Sequence, residues 1–121
     1  MKRVLLTGAG GFIGSHMLDH LLVNTDWDVV CLASWRHKGI PERITDSIHY
    51  QQHKKRVTVL THDLSAPLPG HTLARIGDID YILNFAAESH VDRSLADPRS
   101  FIENNVAVAL TMLDAARIIQ P

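Results

Sequence analysis

Short apolar runs alternate with helix-like segments along this chain. The runs at residues 4–7, 28–33, 57–60 and 81–85 are nearly continuous in apolar character. Such runs are typical of strands that are buried on both faces of a parallel sheet. Over residues 12–23, by contrast, apolar side chains recur at helical spacing. The pattern therefore predicts an α/β fold in which helices cover both faces of a parallel sheet.

The remaining segments are more polar. Residues 41–55 predict a surface helix or partly a loop, and residues 65–77, rich in proline and glycine, predict a loop with at most a short helix. Asp97 followed by Pro98 reads as an N-cap and a first-turn proline, opening a helix that runs to about Ile119. Right-handed crossovers then give the strand order 3-2-1-4 of a Rossmann-type, doubly wound sheet.

Composition narrows the class of protein. The chain has 121 residues, 45% of them apolar, which suits one small globular domain rather than a disordered segment. Its net charge of −1 gives no general attraction to nucleic acid or to a membrane surface. No apolar stretch reaches the roughly 18 residues of a spanning helix, so we expect a cytoplasmic protein. The single cysteine, Cys31, excludes an internal disulfide and is predicted to fill the core.

The last predicted helix has apolar residues on more than one face. A helix with so wide an apolar surface needs burial on two sides. One side would face the sheet, and the other would face a partner subunit or more chain. We therefore predict a homo-oligomer or a complementing chain through residues 98–119. The apolar positions are Phe101, Ile102, Val106, Val108, Leu110, Met112, Leu113, Ile118 and Ile119.

Residues 7–14, Thr-Gly-Ala-Gly-Gly-Phe-Ile-Gly, lie between the first strand and the first helix. Gly8 would permit the tight turn, Gly11 would let a pyrophosphate approach the backbone, and Gly14 would allow close packing of helix on strand. The helix N-terminus offers N–H groups and a partial positive charge to phosphates. This strand–turn–helix context predicts a dinucleotide site, with NAD or NADP as the cofactor. No Gly-Lys-Ser/Thr follows, so the loop is not a P-loop.

Two strand ends carry candidate contacts to the adenosine half of the cofactor. An acidic residue that would hold the ribose 2′-OH is missing at the end of the second strand. Ser34, Arg36 and Lys38 stand there instead and could donate to a 2′-phosphate, which favours NADP; the alternative is that they are solvated loop residues. Asp63 follows the third strand and could accept from the adenine amino group, or simply end the strand.

One segment carries a family resemblance. Residues 84–94 read Asn-Phe-Ala-Ala-Glu-Ser-His-Val-Asp-Arg-Ser. Together with the glycine loop, they resemble the extended short-chain dehydrogenase/reductase family. More narrowly, the chain is similar to the N-terminal part of the dTDP-glucose 4,6-dehydratases and related nucleotide-sugar dehydratases and epimerases. Residues 101–106 and 113–117 match the same family pattern.

The resemblance implies roles for four groups of residues. Those at the pyrophosphate would be Gly8, Gly11, Phe12, Ile13 and Gly14. The residues at the adenine would be Asp63 and Leu64. The residues near the nicotinamide ribose would be Ala86 and Ala87. On the substrate side would be Ser89, His90, Arg93 and Asn105. Members that use NAD typically carry an aspartate where Ala33 stands, so the resemblance favours NAD while the local residues favour NADP.

The family also carries a Tyr-x-x-x-Lys pair, which supplies the catalytic base, and a region that grips the sugar nucleotide. The sequence ends at Pro121, before either. We therefore expect the cofactor-binding part of a dehydratase or epimerase that transfers hydride through NAD(P) at a sugar carbon, not catalytic alone. The alternative is a non-catalytic NAD(P)-binding module for cofactor sensing or interaction.

Two other patterns imitate functional motifs. Tyr50 and Lys54 match Tyr-x-x-x-Lys, but they lie between the second and third strands and are not predicted to be the catalytic pair. His16 and His20 are four residues apart on the first helix, yet no His-Glu-x-x-His arrangement surrounds them. No metal site is predicted.

Overall fold

The computed structural model describes residues 1–34, 41–86 and 95–121. Four parallel strands form one sheet in the order β3-β2-β1-β4, which confirms the predicted topology. The strands are β1 (Arg3–Thr7), β2 (Asp28–Ala33), β3 (Val57–Thr61) and β4 (Tyr81–Asn84). In the centre of the sheet, Leu6 of β1 pairs with Cys31 of β2 and Leu83 of β4.

Helices cover both faces of the sheet. They are α1 (Phe12–Asn24), α2 (Glu42–Thr45), α3 (Ile48–His53), α4 (Gly70–Ile76) and α5 (Pro98–Ile119). The Asp97 side chain accepts from the Ser100 N–H at 3.3 Å, so the predicted N-cap of α5 is confirmed. The short helix α4 lies in the segment predicted to be mainly loop.

Two boundaries differ from the sequence-based expectation. Residues 41–55 form two short helices and the start of a 3₁₀ turn (Lys54–Arg56), because the Ser47 hydroxyl starts α3 anew by accepting from the His49 and Tyr50 N–H groups. β4 ends at Asn84, so the predicted strand was one residue too long. Phe85 still donates its N–H to Thr7 at 3.3 Å, but its chain turns away from the ladder.

The core has two layers because successive side chains on a strand point to opposite faces. Leu6 packs with Leu18 of α1 on one face, and Leu5 packs with Val108 and Met112 of α5 on the other. Cys31 belongs to the first layer and is fully buried, as predicted. Burial raises the pKa of the Cys31 thiol to about 12, so the side chain is uncharged at neutral pH.

Arg56 fixes the C-terminal end of α1. Its guanidinium donates to the carbonyl oxygens of Leu22, Thr25 and Trp27 at 2.8–3.0 Å. Leu22 lies in the last turn of α1, where a carbonyl oxygen has no partner within the helix. Anchored there, α1 carries its N-terminus to the opposite edge of the sheet, where β1 ends. Within the described parts of the chain, no helix has the length and apolar character to span a membrane.

Candidate functional site

The segments that follow the strands meet at one edge of the sheet. The Gly8 N–H donates to the Leu32 carbonyl of β2 at 3.1 Å, and the His62 N–H donates to the Ala33 carbonyl at 3.0 Å. The turn after β1, the end of β2 and the start of the β3–α4 connection therefore lie side by side. In open α/β sheets, ligands bind outside this carboxyl edge.

Two of the three motif glycines are required by contacts within the protein. Gly8 has φ +73°, and a Cβ there would lie 2.7 Å from the carbonyl carbon of Phe85. A Cβ on Gly14 would overlap the carbonyl oxygen of Gly8 and lie 2.6 Å from its carbonyl carbon. The turn is thus held between the chain beyond β4 and the first turn of α1. The close contact of Gly14 is with the turn itself.

Gly11 is different, because little in the protein requires a glycine at that position. Its backbone is extended (φ −83°, ψ 173°), which any residue adopts. Among the described residues, an added Cβ would meet only the Gly8 carbonyl oxygen, at 3.3 Å. A glycine with no strong internal requirement fits a cradle in which a Cβ would occupy the space of a ligand.

The first turn of α1 presents positive potential beside Gly11. Gly11 is the N-cap residue of α1 and has no side chain that could accept from the helix N–H groups, and residues 12–15 include no acidic side chain. The partial positive charge of the helix end therefore stays uncompensated by the helix's own first turn. The side chains of Phe12 and Ile13 are 67% and 65% exposed. What these two residues would offer a pyrophosphate is their backbone N–H groups.

Thr7 joins the ends of β1 and β4. Its buried hydroxyl donates to Asn84 Oδ1 and accepts from the Ala86 N–H at 3.2 Å. Ala86, predicted to lie near the nicotinamide ribose, is half-buried against the α5-side core layer. The hydroxyl therefore fixes Ala86 next to the glycine turn.

The candidate adenine contacts lie in the turn after β3. Asp63 Oδ1 accepts from the N–H and the hydroxyl of Ser65 at 3.0 and 2.9 Å, which holds the turn. The Leu64 side chain is 5% exposed and packs in the core, so a contact with adenine would come from its backbone. Ser34, directly after β2, is half-buried.

Six of the predicted site residues lie outside the described residues, and their roles remain predictions. They are Arg36, Lys38, Ala87, Ser89, His90 and Arg93. Asn105 is described: it is half-buried on α5 and has an interaction partner. In the same described parts, no three His, Cys, Asp or Glu side chains are grouped closely enough to hold a metal ion.

The Tyr50–Lys54 pattern is separated from the carboxyl edge. Tyr50 lies on α3, and its half-buried ring packs against the core layer under α1. Lys54 begins the 3₁₀ turn that leads into β3, at the amino end of that strand. The pair therefore belongs to the opposite edge of the sheet from the glycine turn.

Sequence reasoning missed two residues at the site. A threonine at the end of an apolar strand signals that its hydroxyl has a local partner, and Thr7 carried that signal. Arg43 carried none: its Nη1 donates to the Gly10 carbonyl oxygen at 3.3 Å, a contact between residues 33 positions apart. Only the packing of α2 beside α1 brings these two groups together.

This sheet order, with a glycine turn opening the first helix, defines a Rossmann-type dinucleotide fold. A sequence model of the GDP-mannose 4,6 dehydratase family matches residues 5–121, and the chain belongs to that family.

Several proteins have sequences similar to this chain over part of their length. Low-salt glycan biosynthesis protein Agl12 of Haloferax volcanii is 37% identical, covering 93% of this chain and 34% of its own length. dTDP-glucose 4,6-dehydratase 1 of Escherichia coli K12 is 35% identical, and the match covers 95% of this chain and 31% of that protein. The chain therefore spans about a third of the length of these relatives.

Solved structures support the same fold. DesIV, a dTDP-glucose 4,6-dehydratase from Streptomyces venezuelae determined with NAD bound, superposes with a TM-score of 0.81 at 33% identity. That match covers 98% of this chain and 36% of DesIV. A UDP-glucose 4-epimerase from Bifidobacterium longum superposes with a TM-score of 0.83, and the match covers 98% of this chain and 34% of the epimerase. The two sequences are 24% identical, so this similarity supports the fold alone.

Proposed function

We propose that this chain binds NAD or NADP as the cofactor-binding part of a nucleotide-sugar 4,6-dehydratase or epimerase. The pyrophosphate would lie on the turn at Gly11 and on the N–H groups of Phe12, Ile13 and Gly14. The adenine would lie beside Asp63 and the backbone of Leu64. The bound nicotinamide would take a hydride from a sugar carbon and return one.

The contrast among the motif glycines carries the proposal. The protein's own packing accounts for Gly8 and Gly14, whereas a Cβ on Gly11 would meet, in the described parts of the chain, only one atom at 3.3 Å. The N-terminus of α1, whose first turn contains no acidic side chain, lies beside it. A small backbone surface next to positive potential is what a dinucleotide pyrophosphate requires. The relative DesIV, determined with NAD, supports the cofactor class.

We expect the purified 121-residue chain to bind at least one of NAD and NADP with a stoichiometry of one. Calorimetric titration with each cofactor separately measures the affinity and the preference. ADP, which keeps the adenosine and the pyrophosphate, should compete with the cofactor, and nicotinamide mononucleotide should compete less well. Absence of binding to both cofactors would contradict the proposal.

We further propose that the chain performs no turnover on its own. The proposed site would bind and orient a cofactor at the carboxyl edge of the sheet. Tyr50 and Lys54, which match the family's Tyr-x-x-x-Lys pair, lie at the opposite edge. The base that removes the sugar hydroxyl proton would come from elsewhere in a complete enzyme. The nucleotide-sugar substrate would then be held largely by that other part.

We also propose that the exposed side of α5 binds a partner. One side of this helix packs on the sheet through Val108 and Met112. The other exposes Ile102, Val106, Leu110, Leu113 and Ile118, each 57–66% accessible. Leu110 and Ile118 also line an open groove of about 570 Å³ beside the β3–α4 connection, away from the glycine turn. An apolar face of this kind marks an interaction surface, for a second copy or a complementing chain.

We expect the chain to self-associate at micromolar concentration and Leu113→Glu to shift it toward the monomer, because a charge would be buried in the contact. Sedimentation velocity over a concentration series measures both. Glu103→Gln, on an exposed position of the same helix, serves as the control. If the wild-type chain stays monomeric at every concentration, the homo-oligomer is contradicted, and a complementing chain remains as the proposed partner.

A further inference from the structure

Arg43 ties helix α2 to the glycine turn, and the glycine motif does not account for it. Its Nη1 atom donates to the Gly10 carbonyl oxygen at 3.3 Å, and the side chain is half-buried. Arg43 also has a further interaction partner, so this bond is not its only tie. The contact joins the element that follows β2 to the turn that follows β1.

Helix α2 is anchored on the C-terminal side of Arg43 by two contacts. The next residue, Ile44, is 1% exposed in the core layer under α1. Four residues beyond Arg43, the Ser47 hydroxyl donates to Asp19 Oδ1 of α1 at 2.6 Å. The backbone that carries Arg43 is therefore fixed against α1, the same helix that the glycine turn opens.

The peptide group between Gly10 and Gly11 is held at both of its polar ends. Its carbonyl oxygen accepts from Arg43, and its N–H donates to the Gly8 carbonyl oxygen at 3.0 Å. A link between two glycines has more conformational freedom than any other link in the chain. Because a peptide group is planar, bonds at its two ends fix its orientation more firmly than either bond alone.

We propose that Arg43 is a positioning residue for the pyrophosphate: it holds the Gly10–Gly11 peptide in the binding conformation without touching the ligand. This inference rests on the proposed cofactor site. Gly11 is where the pyrophosphate would approach, and its carbonyl oxygen accepts from the Ser15 N–H at 3.0 Å as α1 begins. A turn that is already ordered does not have to be ordered by the ligand, and affinity rises accordingly.

The first measurement uses the ligand-free chain and does not depend on cofactor binding. The hydrogen-exchange rate of the Gly11 N–H, followed by NMR, reports opening of the turn. Arg43→Met removes the donor and keeps much of the apolar stem. Exchange at Gly11 should accelerate at least about threefold, while exchange at Leu18, in the middle of α1, should change less than about twofold. Arg117→Met, at an exposed position of α5, should change neither rate.

The second measurement is calorimetric titration of the same variants with ADP, NAD and NADP. All three compounds carry the pyrophosphate, so Arg43→Met should weaken each of them alike, about 3- to 10-fold. The factor should be the same at low and at high NaCl concentration, because salt screens attraction between charges and does not replace an ordered turn. Arg43→Lys, whose ammonium can still donate to the carbonyl oxygen, should recover most of the affinity.

The outcomes separate this inference from the proposed function. If the wild type binds none of the three compounds, the proposed function fails and the inference fails with it. If the wild type binds them but Arg43→Met leaves either the Gly11 exchange rate or the affinities unchanged, the inference is overturned and the cofactor site stands. A loss of affinity that high salt abolishes, or that is confined to NADP, overturns it too, because Arg43 would then act through its charge. Equal acceleration at Gly11 and Leu18 would overturn it as well, because Arg43 would then support only the fold.

A measurement on the wild type alone covers the case in which Arg43→Met does not fold. If the turn is ordered before the ligand arrives, the Gly11 N–H is protected from exchange in the ligand-free chain. Saturating ADP should then slow its exchange by less than about threefold. Exchange at the rate of an unstructured peptide, followed by strong protection when ADP binds, would overturn the inference.

Discussion

The variant Gly14→Ala should not form the native fold. An added Cβ would overlap the carbonyl oxygen of Gly8 and lie 2.6 Å from its carbonyl carbon. Both are backbone atoms, and Gly8 is itself wedged against Phe85, so neither side can yield. We expect a loss of more than about 4 kcal/mol in the free energy of unfolding, a large part of the roughly 5–15 kcal/mol of a typical domain. Urea denaturation followed by circular dichroism measures it.

Gly70→Ala provides the matched control for that experiment. Gly70 opens α4, and no atom of the described residues outside its own surroundings in α4 lies within 4 Å of the position that its Cβ would take. The substitution should change the free energy of unfolding by no more than about 1 kcal/mol, and in the stabilising direction, because alanine favours a helix over glycine. If the free energy of unfolding of Gly14→Ala lies within about 1 kcal/mol of the wild-type value, the close packing of α1 on the turn is refuted.

The strand order and the glycine turn could be predicted because their signals are local. Each strand is a short apolar run, and the handedness of crossovers leaves few ways to arrange four of them. The turn is specified by glycine spacing and by the strand that precedes it. The N-cap at Asp97 is likewise encoded within two residues.

Long-range polar contacts could not be predicted in this way. The bond from Arg43 to Gly10 and the bridge from Thr7 to Asn84 join residues 33 and 77 positions apart. Neither pair has a periodicity that would indicate the contact. The division of residues 41–55 into two helices depends on the Ser47 hydroxyl, which accepts from two N–H groups of α3. The same hydroxyl donates to Asp19 Oδ1 of α1 at 2.6 Å, a contact across 28 positions.

Gly11→Ala should separate binding from folding at the same turn. The backbone conformation at Gly11 suits any residue, and of the atoms in residues 1–34, 41–86 and 95–121 the added Cβ would approach only the Gly8 carbonyl oxygen, at 3.3 Å. We therefore expect a destabilisation of only about 1 kcal/mol. In the proposed site, the same methyl group would occupy the space through which the pyrophosphate reaches the N–H groups of α1. Loss of those charge-assisted bonds should weaken cofactor binding on the order of 100-fold.

The measurement pairs a calorimetric titration with a urea denaturation of the same sample, using whichever of NAD and NADP the wild type binds. Gly70→Ala should bind as the wild type does, because its position on α4 is open and separate from the turn. A folded Gly11→Ala chain with wild-type affinity would refute the approach of the pyrophosphate at Gly11. Since Gly14→Ala should fail in folding and Gly11→Ala in binding, the two variants distinguish a glycine that serves packing from one that serves a ligand.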